Sequence, residues 1–600
     1  MLMRRTSLIL TIIMTLLAAL SLSGCADTSS HNQNETTIRI ISTSDIHGKM
    51  LAYDYVLDKV DKSGSLAQAS SAINEYRNEN TILVDLGDSI QGNLADIFND
   101  EPVHPMVQGM NAIGYDIFVT GNHEYNFGTD ITKKYIETCD GDVLLGNVYD
   151  ESGLLLTDSY KIIEKNGIRL AFIGMVTHNI IKWDKDNLSG YTVTDPAEET
   201  NRIIDALEND VKAGIIEPVD ILIGAFHVMD NDEYDVDHSG YISIAKSCPR
   251  LNLILGAHGH DAINNTLDGG ITVTENLSEG RSIQIVDITF NDDSEHKPAA
   301  IKEIVTKCVE TGGYPEDEKI VKLLAPYDKT VKELIKISIG KLEGGPLVPD
   351  GEIKAIHAGL LGDTPLQTLI QHAMMYYSGA DIAISAPSSN EDNAYPGDLT
   401  IADISSMYKF SNSLYTVRMS GAQLKKYLEW SACFYQEYQE GDLIIAFEDI
   451  PVYMCDSATG VKYDIDISKP AGERIKNLTY ADGKVLNDND ELTVAVNDYR
   501  YNTSISSPGV IFDEEEIPEL LEIDVRGDIG SISLLIADYI KNVQGGTITP
   551  ECDNNWKIIG TGWDKELHEK AVEMINNGQL HLEEGSKKNP CINKITVNDI

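Results

Sequence analysis

A chain of 600 residues is too long for one hydrophobic core and predicts at least two domains, which its 42% hydrophobic residues can fill. Lys and Arg number 47 against 95 Asp and Glu, and the formal charge of -48 argues against DNA, RNA or an anionic lipid surface as partner. An anionic small molecule would need its counter-charge supplied locally.

The chain opens with MLMRRTSLILTIIMTLLAALSLSGC, in which Arg4 and Arg5 precede an apolar run that ends in small residues before Cys25. This predicts a signal peptide over residues 1–24, and Leu22-Ser23-Gly24-Cys25 resembles the bacterial lipobox, whose cysteine becomes the lipidated first residue. A plain membrane anchor is the alternative, since the run is nearly long enough to span, but such an anchor has no use for a Cys behind Ser-Gly. Residues 25–36 then read as the lipidated Cys25 and a polar, flexible tether. The expected location is the bacterial cell surface or extracytoplasmic space, with the membrane touched only through acyl chains on Cys25. Seven further cysteines, at 139, 248, 308, 433, 455, 552 and 591, are widely spaced with no Cys-x-x-Cys. They indicate neither a thiolate zinc site nor a disulfide framework and leave room for one or two bridges at most.

From residue 37 short strands alternate with helices. TIRIIST, TILVDLGD, DIFVTGNH, RLAFIGMVTHN, DILIGAFH and LNLILGAHGH have strand character, while LAQASSAINEYRNE and DPAEETNRIIDALENDVKAG have helical period. In the second helix Asp195 is the predicted N-cap, Pro196 the first helical residue, and Glu198 the completion of a capping box. The alternation predicts an α/β layered domain over 37–363. TPLQTLIQHAMMYYS, 364–378, reads as a linker helix. A second region, 379–560, mixes strands (LYTVRMS, IKNLTY, LTVAVND) with helices (GAQLKKYLEWSA, IGSISLLIADYIKN), and Asp482-Gly483 suits a tight hairpin turn. Residues 561–600 read as a helical, then polar, extension.

The strands of the first region end in metal-binding residue types. TIRIISTS leads to Asp45 and His47, TILVDLG to Asp88, DIFVTG to Asn122 and His123, DILIGAF to His227, and LNLILGA to His258 and His260. In an open α/β sheet the carboxyl ends of the strands share one crevice, so residues scattered in sequence converge there. Carboxylate, amide and imidazole together suit borderline divalent ions such as Zn, Mn or Fe. His227 alone would read as a satisfied core histidine, and Gly-Asn-His-Glu alone as loop chemistry; the set of eight does not read that way. DNDEYDVDHSGY at 230–241 lacks the Gly and Glu of a calcium-binding EF-hand loop and reads as a solvated loop.

Asp-x-His, Gly-Asp-x-x-Gln-Gly, Gly-Asn-His-Glu, a lone His and His-x-His in this order resemble the calcineurin-like metallophosphoesterases, and among them the two-domain 5′-nucleotidase family. The resemblance covers 37 to about 545, with Ala257 where a Gly commonly precedes the His-x-His pair. It implies an α/β fold, a layered αββα sandwich, followed by a C-terminal α+β nucleotide-binding domain. It further implies two divalent metal ions, Mn, Zn, Fe or Co. Asp45, His47 and His260 would hold one, Asn122, His227 and His258 the other, and Asp88 would bridge them. Two cations about 3.5 to 4 Å apart need such an anionic bridge, and together they clamp a phosphoryl group and acidify a bound water. His123, beside the phosphate in the family, would be catalytic. Its usual Asp partner three residues on is replaced by Asn126, which can orient the ring but brings no charge.

Gly-Asn-His-Glu-aromatic-Asn-aromatic-Gly resembles the branch acting as 2′,3′-cyclic-nucleotide 2′-phosphodiesterase and 3′-nucleotidase. So do MLAYDYVLDK, VHPMVQGMN, KWDKDNLSG and GVKYDIDISKPAGERIKNLTY, and ISAPSSNEDNAYPGD lacks the arginines with which 5′-nucleotidases grip substrate. By the same resemblance Phe410 and Tyr499 would stack on the base; ordinary packing is the competing explanation for two aromatics. The expected partners are 2′,3′-cyclic and 3′-nucleotides, the expected state a monomer, and the expected role nucleotide scavenging outside the cell. A 5′-nucleotidase or broad nucleotide hydrolase, and a non-catalytic metal-binding lipoprotein, are the rival readings.

Overall fold

The computed structural model describes residues 35–55, 58–233, 236–291, 298–410, 412–523, 525–526 and 530–600. The predicted signal peptide, Cys25 and all but the end of the tether lie outside the described residues. No helix among the described residues is long and apolar enough to cross a membrane.

Strand periodicity explains the first domain. In Glu35–Thr43 side chains alternate between faces, so Ile38 and Ile40 point into one core and Ile41 into another. Thr81–Asp85 repeats this with Ile82 and Val84 against Leu83, and Ile117–Val119 with Ile117 and Val119 against Phe118. Burial on both faces is why these segments read as continuous apolar runs. One six-stranded sheet runs in the order 301–310, 282–291, 35–43, 81–85, 117–119, 142–144; a second runs 263–266, 272–275, 253–255, 221–227, 168–176, 160–165. In the first sheet strands 35–43, 81–85, 117–119 and 142–144 are parallel, while 282–291 pairs antiparallel with both 35–43 and 301–310; in the second the four central strands are parallel and the pair at each end antiparallel. The sheets face one another across Ile38, Val84, Val119, Phe172, Ile223 and Leu255. Each such side chain contributes roughly 1.5–3 kcal/mol when fully buried. Helices Leu66–Tyr76, Pro105–Ile113 and Glu318–Leu334 cover the outside of the first sheet, and Pro196–Lys212 and Tyr241–Ser247 the second. This is the expected αββα layering.

Asp195 caps Pro196–Lys212 by accepting the N–H groups of Ala197 and Glu198 at 2.7 and 3.0 Å. No bond from the Glu198 side chain back to Asp195 is found among the described residues, so the expected capping box is a single cap. The second Asp195 oxygen goes instead to Nδ1 of His238, 2.7 Å away.

The second domain begins earlier than its composition suggests. Strand Ser338–Leu342, expected in the first domain, pairs antiparallel with Gly397–Thr400 and parallel with Thr547–Ile548. Helix Pro365–Ser378, expected as a linker, is packed inside this domain: Leu366, Ile370, Ala373 and Met374 bury against Ile339, Leu342 and Leu535. Helix length and capping were readable, but the identity of the core a helix joins depends on distant residues. The central five-stranded sheet runs 457–459, 382–385, 491–497, 414–420, 519–522. Residues 561–600 begin with the expected helix, Lys565–Asn576, and pack on the second domain, where Ala571, Ile575, Cys591 and Ile595 lie in the same core as Phe434 and Phe447. The seven cysteines from Cys139 onward are all free thiols.

Candidate metal centre

Parallel strands deliver their carboxyl ends to one edge of the sandwich, and the backbone there is held in an unusual conformation. Asp45, His47, Asp88, His258 and His260 have φ of +52°, +47°, +56°, +75° and +63°. Such left-handed geometry costs a non-glycine residue roughly 1–2 kcal/mol and persists only where the surroundings enforce it. Part of the enforcement comes from Glu124. Its fully buried carboxylate accepts the N–H groups of Asp88, Ser89 and Gly121 at 2.8, 2.8 and 2.7 Å, tying two loops together. Burial raises the Glu124 carboxyl, and these N–H groups work against that rise. The loops touch so closely that a Cβ on Gly121 would fall 2.1 Å from Oδ1 of Asp88.

All seven expected metal-binding side chains come together at this edge. Ligand atoms of Asp45, His47 and His260 lie within 4.8 Å of one another, as do those of Asp88, His227 and His258. Nε2 of His47 is 3.2 Å from Nε2 of His260, which is 3.4 Å from Oδ1 of Asp45. Nε2 of His227 is 3.1 Å from Oδ1 of Asn122 and 3.3 Å from Oδ2 of Asp88. His227 Nδ1 bonds the Leu86 carbonyl at 2.6 Å, which assigns a proton to Nδ1 and turns Nε2 toward the site.

The electrostatics fit a cation. Oδ1 of Asp45 and Oδ2 of Asp88 are buried without a hydrogen-bond partner among the described residues, so both point charge at the space between the imidazoles. Burial alone would raise these carboxyls, but the neighbouring histidines hold both below the ordinary carboxylate range. Burial also opposes charge on His227, yet Asp88 and Asp45 push its ring up to about 10. His47, with burial dominant, falls to about 4 and keeps its lone pair. The centre calls for positive charge, from protons or from divalent metal ions, and its donor set of imidazole, carboxylate and amide suits the latter.

His123 lies beside this cluster, with Nε2 3.9 Å from Oδ2 of Asp88 and its ring 5.4 Å from that of His47. Its Nδ1 is 2.6 Å from Oδ1 of Asn126. Sequence reasoning missed what stands behind that amide: Nδ2 of Asn126 donates to both oxygens of Asp184, at 3.1 and 3.2 Å. Asp184 sits in KWDKDNLSG, a stretch noticed for its resemblance and given no role. Glu233 was also missed. It was expected in a solvated loop, but its buried Oε2 lies 3.4 Å from Nε2 of His258.

In the second domain Phe410 and Tyr499 flank a third aromatic, Tyr453. Its ring centroid is 6.2 Å from that of Phe410 and 6.4 Å from that of Tyr499, at interplanar angles of 82° and 81°. The segment bearing Tyr499 reaches the first domain, where Nδ2 of Asn502 donates to the Trp183 carbonyl at 3.1 Å. The Trp183 ring is 5.6 Å from that of His258. Tyr415 adds a hydroxyl bond to Asp186.

Residues 38–263 match the calcineurin-like phosphoesterase model, and residues 339–505 match the 5′-nucleotidase C-terminal domain model. The chain is 26% identical over 616 residues to a 2′,3′-cyclic-nucleotide 2′-phosphodiesterase/3′-nucleotidase of Salmonella typhimurium, covering 90% of this chain and 91% of that protein. It is 27% identical over 595 residues to the trifunctional nucleotide phosphoesterase protein YfkN of Bacillus subtilis, spanning 87% of this chain and 39% of that longer protein. A 5′-nucleotidase precursor from Thermus thermophilus shares the fold with a TM-score of 0.58 at 17% identity, covering 88% of this chain and 100% of that one. With a matching model for each domain, and with the metal-donor set gathered in the first of them, the chain belongs to the two-domain 5′-nucleotidase family of calcineurin-like phosphoesterases and is a hydrolase of phosphoric esters.

Proposed function

We propose that the enzyme hydrolyses 2′,3′-cyclic nucleotides to 3′-nucleotides, and these to nucleosides and phosphate. The observation that carries this reading is the contact between His123 and Asn126, an amide where 5′-nucleotidases place a carboxylate. The relative from Salmonella typhimurium bearing that activity in its name supports it, as does the absence of arginine from 384–398.

In this reading Asp45, His47 and His260 would hold one ion and Asn122, His227 and His258 the other, with Asp88 available to both; Mn, Zn, Fe and Co suit these donors. When bound, the ions supply Lewis acidity to the phosphoryl oxygens and acidify water. Glu124 keeps the Asp88 and Gly121 loops in register, and the Leu86 carbonyl fixes the His227 tautomer. His123 directs Nε2 at the reacting phosphate and gives its proton to the departing ribose oxygen. Phe410 and Tyr499 stack on the base, a contact worth roughly 1–3 kcal/mol and indifferent to base identity. Lipidation at Cys25 would place this chemistry outside the cytoplasmic membrane, where it would scavenge RNA breakdown products.

The test follows 2′,3′-cyclic AMP, 3′-AMP and 5′-AMP with Mn²⁺-loaded enzyme, chelated enzyme and His123→Ala. The cyclic ester should pass through 3′-AMP to adenosine, with 5′-AMP at least about 10-fold slower and His123→Ala reduced roughly 10²–10⁴-fold. Preference for 5′-AMP would overturn the branch assignment. Metal binding without turnover of any ester would favour a carrier.

A further inference from the structure

We propose that Asp184 is a positioning residue of this reaction: it holds the Asn126 amide with its carbonyl oxygen toward His123 and thereby turns Nε2 of His123 to the metal centre. The role rests on the hydrolytic reading above.

Donors and acceptors leave one arrangement. An ionised carboxylate only accepts, and both Asp184 oxygens are within 3.2 Å of Nδ2 of Asn126, so the amide shows its NH₂ group to Asp184 and its oxygen to the ring. That oxygen is 2.6 Å from Nδ1 of His123, so Nδ1 carries a hydrogen. Nε2 is then the nitrogen left to face Asp88. Asn187 braces the arrangement, its Nδ2 donating to Oδ1 of Asp184 at 3.2 Å and to the backbone carbonyl of Asn126 at 2.9 Å. Asp184 is only 7% exposed, and its own N–H is bonded to the Ile180 carbonyl at 2.8 Å. Burial pushes its carboxyl up to about 6, so above that pH it is the anion this geometry needs. Without Asp184 either face of the amide fits against the ring. The NH₂ face would demand a bare Nδ1 and move the single ring hydrogen of the neutral form to Nε2.

The aim of Nε2 matters most when the leaving oxygen needs a proton. Water oxygen forms a bond to phosphorus, the bond from phosphorus to the ribose oxygen breaks with its electron pair on that oxygen, and the proton on Nε2 of the doubly protonated ring joins it. The proton released by the water restores the ring.

The metal-loaded enzyme is assayed on 3′-AMP, whose alkoxide must be protonated, and on p-nitrophenyl phosphate, whose phenolate leaves unaided. Asp184→Ala should lower kcat on 3′-AMP about 10–100-fold while changing the aryl ester by less than about 3-fold, with metal content intact. Asp184→Asn still accepts from the Asn126 NH₂ group and should recover most of the loss. In an Asn126→Asp background there is no NH₂ group to misplace, and Asp184→Ala should cost less than about 3-fold. Equal loss on both esters, metal loss in both Asp184 variants, or the same cost in the Asn126→Asp background would overturn the role. Failure of the unmodified enzyme on both esters would overturn the hydrolytic reading and the role with it.

Discussion

At the scale of single residues, the centre depends on side chains that are absent as much as on those present. Gly121 lets the Asp88 loop close, and a methyl group there would meet both Oδ1 of Asp88 and the His227 ring, whose Cε1 would lie at 2.6 Å. Gly121→Ala should therefore retain the fold by circular dichroism yet bind metal at least about 10-fold more weakly in equilibrium titration. Retained affinity would show that the loops can part without harm. The donors themselves were legible in the sequence because residue type is their chemistry and strand ends are recognisable. Asp184 and Glu233 were not. Each acts on a partner far along the chain, Asp184 on Asn126 and Glu233 on His258, and neither lies in a spacing that any local pattern marks.

At the scale of elements, the segment 180–190 serves both domains. The short helix Ile180–Trp183 leads into Asp184, which accepts from the Asn126 amide beside His123, while the Trp183 carbonyl and Asp186 receive bonds from Asn502 and Tyr415. Removing one anchor should loosen the substrate grip before the chemistry. Asn502→Ala is expected to raise KM for 3′-AMP about 3–10-fold with kcat changed less than about 2-fold, measured by initial rates. A fall in kcat at constant KM would instead place Asn502 in the transition state. Helix ends in this molecule were readable from caps such as Thr364, which accepts the Gln367 N–H, and from Gly379 with φ of +66°. What the helices pack against was not, because the apolar face of Pro365–Ser378 fits a core of either domain until strand Ser338–Leu342 has found its partner.

At the scale of the whole molecule, buried carboxyls lie on both sides of the domain contact. Burial pushes Asp184 and Asp498 each to about 6, and the charge of Asp184 adds to the rise at Asp498. Both therefore bind protons more readily in the folded, closed chain than in the unfolded one, where carboxyls titrate near 4. Their contribution to stability is present in full below about pH 4 and is lost as pH rises through 6. Asp498→Asn should shrink the change in Tm between pH 5 and pH 7.5 by a few degrees in calorimetry. An unchanged difference would place the titration elsewhere. The layered architecture was legible from alternation alone, because strands buried on both faces leave apolar runs that nothing else explains. The domain boundary was not, since no shift in composition marks residue 338.

The left-handed backbone at Asp45, His47, Asp88, His258 and His260 bears on how this molecule tolerates change. Glycine would relax each of these positions but remove a donor, while any residue that keeps the donor keeps the strain. The sandwich core must therefore hold surplus stability in reserve for its own centre, and the first domain has less to lose to mutation elsewhere than an unstrained sandwich of equal size.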